Sequence, residues 1–225
     1  MPGRTTPLIT DEIYHIVNRG IDRRTTFSGL KENSRAKEGL GFYRFQSLPC
    51  RLSFFFKKSL EEQEKIMEEI EKKGKKLIEL ICFCLMPNHF HLLLKQKIDD
   101  GISKFMSNFQ NSYTRYFNTK HRRKGPLFYD QFKAVRIETD EQLIHVSRYI
   151  HLNPYSSYVI KDFKNIKDYL WSSLPDYLSG KKGICETNVI LDFFKNKKEY
   201  FEFIYNQADY QRELDRIKHL DLEGD

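Results

Sequence analysis

The chain has 225 residues, enough for one sizeable core and short for two full domains. Thirty-eight Lys and Arg against thirty-one Asp and Glu leave a formal charge of +7, which favours phosphate-rich partners over membrane surfaces. No run approaches the roughly eighteen apolar residues of a membrane span, and the start "MPGRTTPLITDEIY" has no secretory apolar segment, so the expected location is the cytoplasm.

In chain order, "EIYHIVNRG" (12–20) is rich in strand-forming residues and stops at a glycine, predicting a first strand followed by a basic turn. Residues 30–57 lack clear periodicity and are expected to be an irregular, loop-rich insertion. From Ser59, "SLEEQEKIMEEIEKKGKK" has a serine cap, acidic residues in its first turn and lysines in its last, predicting a surface helix that ends near Gly74. "KLIELICFCLM" and "HFHLLLKQ" are strand-length apolar runs joined at Pro87-Asn88, a pair suited to the centre of a tight turn, so a hairpin is expected. Residues 102–117 place Ile102, Phe105, Met106, Phe109, Tyr113, Tyr116 and Phe117 on one helical stripe. A basic run (120–125) and the extended "LFYDQFKAVRIE" follow, and a third helix is expected from Thr139-Asp140 to Asn153, stopped by Pro154. The order strand, helix, strand, strand, helix, strand, helix predicts an α+β ferredoxin-like sandwich. Its central antiparallel sheet would be covered by helices on one face, with a helical C-terminal extension.

Four cysteines form no paired framework. Cys82 and Cys84 alternate inside an apolar strand, where thiols serve as small buried hydrophobes, and they lack the two-residue gap of zinc knuckles. In the same hairpin, "LMPNHFHLLL" puts His89 and His91 on one strand face and Phe90, Leu92 and Leu94 on the other. Such a pair suits either hydrogen bonding on a polar sheet face or sharing a divalent ion, and the second needs a further ligand. On the third helix, Tyr149 and Asn153 are four residues apart and share a face, setting a hydroxyl beside an amide.

"CLMPNHFHLLL" together with "SRYIHLNP" resembles the single-tyrosine transposases of the HUH (histidine, hydrophobe, histidine) nuclease superfamily, particularly the REP-associated tyrosine transposases and relatives in small bacterial insertion sequences. "YHIVNRG", "YFNTKHRRKGPLF" and "WSSLPDYLSG" resemble further segments of that family in the same order, so the similarity spans roughly residues 12–180. It implies a nuclease domain over 1–180, with 30–57 as an insertion and 181–225 as a helical extension. By the same resemblance His89, His91 and Asn153 match the metal ligands, for Mg²⁺ or Mn²⁺, and Tyr149 matches the nucleophile. The implied activity is metal-dependent cleavage and rejoining of single-stranded or hairpin DNA through a 5′-phosphotyrosine link, in a nucleoid-associated protein. Homodimer and monomer both stay open. A hydrolytic nuclease and a non-catalytic nucleic-acid-binding module are the alternative readings.

Two basic clusters are candidates for the DNA path: Arg19, Arg23 and Arg24 after the first strand, and Lys120, Arg122, Arg123 and Lys124 in the later loop. Phe128 and Tyr129 beside them would stack on bases if exposed, with core packing as the alternative fate. Among other tyrosines, Tyr113 and Tyr116 belong to an apolar stripe, and Tyr155 and Tyr158 follow Pro154, out of assured alignment with Asn153.

Overall fold

The computed structural model describes residues 7–180 and 183–213; the rest of the expected 181–225 extension lies outside the described residues. Strand β1 (Ile13–Arg19) alternates: Tyr14 and Ile16 are fully buried, while Ile13, His15 and Val17 are half-buried on the opposite side. Between β1 and the hairpin lie α1 (Leu30–Phe42), α2 (Leu52–Phe55) and α3 (Leu60–Lys73). Helix α3 is the expected surface helix. Ser59 Oγ accepts from Glu62 N–H while the Glu62 carboxylate accepts from Ser59 N–H, and Gly74 closes the other end.

The hairpin is formed by β2 (Ile78–Met86) and β3 (His89–Gln96), turning at Pro87-Asn88. Helix α4 (Gly101–Lys120) crosses to β4 (Lys133–Ile137), and α5 (Asp140–Ser156) follows, capped by Thr139 Oγ1 accepting from Gln142 N–H. The sheet order is β2-β3-β1-β4, every neighbouring pair antiparallel. With α1 and α4 as the crossovers, this is the ferredoxin-like arrangement the element order predicts.

Three details differ from the sequence reading. Residues 30–57 are not irregular: α1 is the first crossover helix and packs on α4, with Ala36 and Leu40 fully buried. Its glycines hide it from pattern reading, yet Gly39 is there for contact, since a Cβ at that position would sit 3.3 Å from the Phe109 ring. Helix α5 runs past Asn153 through Pro154 to Ser156; the proline brings no N–H to the Ile150 carbonyl, and the helix ends two residues beyond it.

Helices also cover both faces of the sheet, not one. Tyr14, Ile16, Phe83, Leu85, Phe90, Leu92 and Leu94 meet Leu40, Phe105 and Phe109 on one side. On the other, Cys82, Cys84, Met86 and Leu93 meet Leu143, Ile150 and Leu152 of α5, together with residues of α6 (Leu174–Ser179), α7 (Asn188–Leu191) and α8 (Lys197–Tyr205). The reason is β2, buried at all positions but one, which needs cover on each face. The C-terminal helices are therefore part of a core; Ile190, Tyr200 and Ile204 are fully buried. Among the described residues no helix is long and apolar enough to cross a membrane.

Candidate active site

The second face is apolar along β2 but changes character at β3 and β1. His89 and His91 point to this face, opposite Phe90 and Leu92 in the other core, with ring centroids 5.0 Å apart. Cross-strand pairing sets Val17 beside His91, which brings His15, two residues back on β1, diagonally next to it. The His15 and His91 rings stack at 5.2 Å, and His15 Nε2 lies 3.0 Å from His91 Nδ1. The sequence reading missed His15. Its signal was available: in "EIYHIVNRG", Tyr14 and Ile16 face one way and His15 the other.

Helix α5 supplies the tyrosine. The Tyr149 ring stands edge-on to His91 at 5.4 Å and to His15 at 6.0 Å between centroids. The rotation of α5 that achieves this is set by a buried polar network. His151 Nδ1 meets the Tyr200 hydroxyl at 2.7 Å, His151 Nε2 meets Ser173 Oγ at 2.8 Å, and Ser173 Oγ in turn accepts from Phe83 N–H of β2. His151 thus ties α5 to the sheet two residues beyond Tyr149.

Asn153 lies one turn further along α5, buried, and its amide oxygen accepts a long hydrogen bond (3.5 Å) from Ser157 Oγ. No hydrogen bond between Asn153 and a histidine occurs among the described residues. The other tyrosines are elsewhere: Tyr113 donates to Thr26 O from within the core, Tyr155 donates to Asp209, and Tyr158 is half exposed under the Arg212 guanidinium.

The hydrogen bonds decide which imidazole nitrogens carry a proton. Asn88 Nδ2 donates to Arg23 O, so its amide oxygen is the atom 2.7 Å from His89 Nδ1. An amide oxygen only accepts, hence His89 carries its proton on Nδ1 and presents a lone pair on Nε2. His91 reaches the same state if its Nδ1–H donates to His15 Nε2. Burial pushes His91 well below the usual histidine range, helped by the charges of His89, His15 and Arg19, and pushes His15 down to about 4. Both rings are neutral at pH 7. Imidazole nitrogens and a buried amide oxygen are in kind the donors a hard-to-borderline divalent cation accepts. Among the described residues no group of three or more His, Cys, Asp or Glu side chains is arranged to hold a metal ion.

Of the basic residues, Arg19 is the one on the histidine face, paired across the ladder with His89. It borders a cavity of about 560 Å³ with Asn18, Tyr129 and Lys133. Arg23 and Arg24 are exposed on the turn that Pro87 O anchors by accepting from Thr26 and Phe27 N–H. Arg123 is pinned inside its loop by Asn118 Oδ1 and Pro126 O, while Arg122 and Lys124 are exposed. Lys120 is drawn away to Glu32. Phe128 is a core residue against Phe27 and Phe90, and Tyr129 is 48% exposed at the cavity rim. Cys82 and Cys84 are free thiols wholly within the core, and burial raises both well above the ordinary thiol range.

Residues 47–153 match the family model described as "Transposase IS200 like", so over that stretch the resemblance seen in the sequence holds. Among solved structures, that of a REP-associated tyrosine transposase bound to a REP hairpin is 13% identical. The similarity covers 82% of this chain and 90% of that one, with a TM-score of 0.54. A crystal structure described as a candidate transposase from Deinococcus radiodurans R1 is 15% identical over 67% of this chain and 95% of that one, at a TM-score of 0.36. The curated proteins contain no match.

Proposed function

We propose that this protein is a transposase that cuts and rejoins single-stranded DNA, at sites beside hairpins, with Tyr149 as nucleophile and His89, His91 and Asn153 holding a divalent cation, Mg²⁺ or Mn²⁺. The observation that carries the reading is the convergence of Tyr149 from α5 with His91 and His15 from two strands, all rings within 6.0 Å of their neighbours. The hairpin seen with the REP-associated structure supports the substrate class.

A cation in this site supplies positive charge to the phosphoryl oxygens as the strand breaks. The chain's residues do the rest. Tyr149 Oη gives its proton to solvent and attacks phosphorus, the bond to the 3′ oxygen breaks and that oxygen takes up a proton from solvent, and the strand is left with a 3′-hydroxyl and a 5′-phosphate on the tyrosine. The new phosphodiester conserves the energy of the old one, so the 3′-hydroxyl reverses the step when it attacks, and no nucleotide triphosphate is consumed. His15 acts through His91: by accepting from Nδ1–H it fixes the ring and its tautomer. Arg19, at the rim of the histidine face, meets the incoming backbone, and exposed Tyr129 offers a ring for an unpaired base.

The test is incubation with a hairpin-bearing single strand and Mn²⁺ or Mg²⁺, followed by denaturing electrophoresis. A covalent protein–DNA adduct is expected, and Tyr149→Phe is expected to lower its formation by about 10⁴-fold or more, as loss of a nucleophile does elsewhere. Cleavage without an adduct would instead support a water-activating hydrolase, and DNA retention without cleavage a binding module.

A further inference from the structure

On the opposite, helical side of the sheet, α1, α2 and α4 enclose a cleft of about 440 Å³ into which four cations converge: Arg35, Arg51, Arg115 and Lys120. We propose that this cleft is a phosphate-binding site, separate from the histidine face by the thickness of the sheet.

The charge balance is the first argument. The carboxylate at its edge, Glu32, is buried and already spent: Lys120 Nζ lies 2.5 Å and His121 Nε2 3.0 Å from the same oxygen. Arg35, Arg51 and Arg115 are in no ion pair among the described residues, so three guanidinium charges face one cleft without an anion. Like charges gathered this way cost free energy that a bound anion would relieve.

The second argument is that Arg35 is held ready. Its guanidinium lies 4.6 Å from the Phe56 ring centroid and 5.4 Å from that of Tyr116, flat packing that fixes the fork, yet its Nε–H is buried with no hydrogen-bond partner. A buried donor left unmet is rare and expensive. A tetrahedral polyanion answers it, because its several oxygens take bidentate pairs from more than one arginine, and the Ser112 and Thr119 hydroxyls line the same wall.

A phosphate of that kind comes either from a DNA backbone or from a small free phosphate compound, and the test separates them. Arg51 and Arg115 are exposed and outside the core, so Arg51→Glu/Arg115→Glu should fold; its melting temperature without anion serves as the check. Pyrophosphate is titrated in a thermal-shift assay, and a long-stem hairpin DNA is titrated at several salt concentrations. If the ligand is backbone phosphate, the double variant loses roughly tenfold or more in hairpin affinity, and the salt slope falls by about 2, one for each phosphate contact removed. If it is a small phosphate compound, pyrophosphate stabilises the parent and not the variant, while DNA affinity stays. A control reversal of Lys65 and Lys72 on α3 measures the effect of net charge alone. The proposal is overturned if neither response changes, or if the control changes them equally. Neither arm reads strand cleavage, so the outcome stands whether or not Tyr149 is the nucleophile.

Discussion

The two faces of the sheet are made by alternate residues of the same strands, yet they do different work. On the face covered by α1 and α4, Tyr14, Ile16, Phe90, Leu92 and Leu94 are all fully buried and apolar but for the Tyr14 hydroxyl. On the other face the intervening positions are His15, Arg19, His89 and His91, half-covered by α5. A strand's period of two puts a stabilising residue and a chemical one side by side in sequence and on opposite sides in space. Stability and activity should therefore be separable by choosing odd or even positions on one strand.

Phe90→Ala is the strongest way to break that separation. Removing a fully buried ring packed on Phe27, Phe109 and Phe128 is expected to cost about 3–5 kcal/mol, read as a lower urea midpoint at unchanged slope. At a temperature where the variant is still folded, adduct formation should survive. Tyr149→Phe should do the reverse, losing the adduct and keeping the midpoint. If Phe90→Ala abolishes the adduct in folded protein, the two faces are mechanically coupled and the division is wrong.

His15→Ala comes next, because it tests whether the face works as a unit of three rings. Groups that hydrogen-bond the far nitrogen of a ligating histidine typically contribute about 10–100-fold to metal affinity, so Mn²⁺ binding, followed by titration calorimetry, should weaken by that factor. His15→Gln offers a side-chain oxygen to the Nδ1–H of His91 and should recover part of the loss. Equal binding by all three proteins would show that His91 is oriented without His15.

What could be read in advance followed the same division. The hairpin was legible because Pro87-Asn88 breaks two long apolar runs, and the histidine pair because alternation is strict there. Helix α1 was hidden by Gly39 and Gly41 and by buried Glu32 and Asn33, residues chosen for contacts with other elements and not for the helix itself. The face His15 points to could be read from the alternation of β1, but its partner could not, for a related reason. One imidazole on a strand has no pattern of its own, and its meaning comes from the register between β1 and β3, a fact of pairing between positions 76 residues apart. Likewise, one-sided cover was expected because the C-terminal segment looked like an appendage; its place in the core depends on Tyr200 meeting His151 across 49 residues.

The smallest effect per unit change is in pH, and it distinguishes the faces without any mutation. Burial pushes His15 down to about 4 and His151 to about 3, against an ordinary value of 6.5 for each. A depressed histidine is neutral in the folded chain while the unfolded chain takes up a proton. The folded state is therefore unaffected above pH 6.5 and loses stability as the pH falls below it. Each such group contributes a slope of up to about 1.4 kcal/mol per pH unit, His15 down to about pH 4 and His151 to about pH 3. On the α1 side one titrating group is Glu32. Burial alone would raise its carboxyl, but the hydrogen bonds from Lys120 and His121 prevail and hold it below the ordinary 4.5, so its stabilisation is lost only as the pH falls below that value. Between pH 6.5 and 4.5 the decline belongs to the histidine face. Urea midpoints at pH 7.5, 6.0 and 5.0 should fall steadily, and His15→Gln should flatten part of that slope while leaving the remainder, due to His151 and His91, in place. A midpoint that holds constant from 7.5 to 5.0 would mean these rings are open to water and protonated in the folded state, and the neutral donor set on which the histidine face depends would be lost with them.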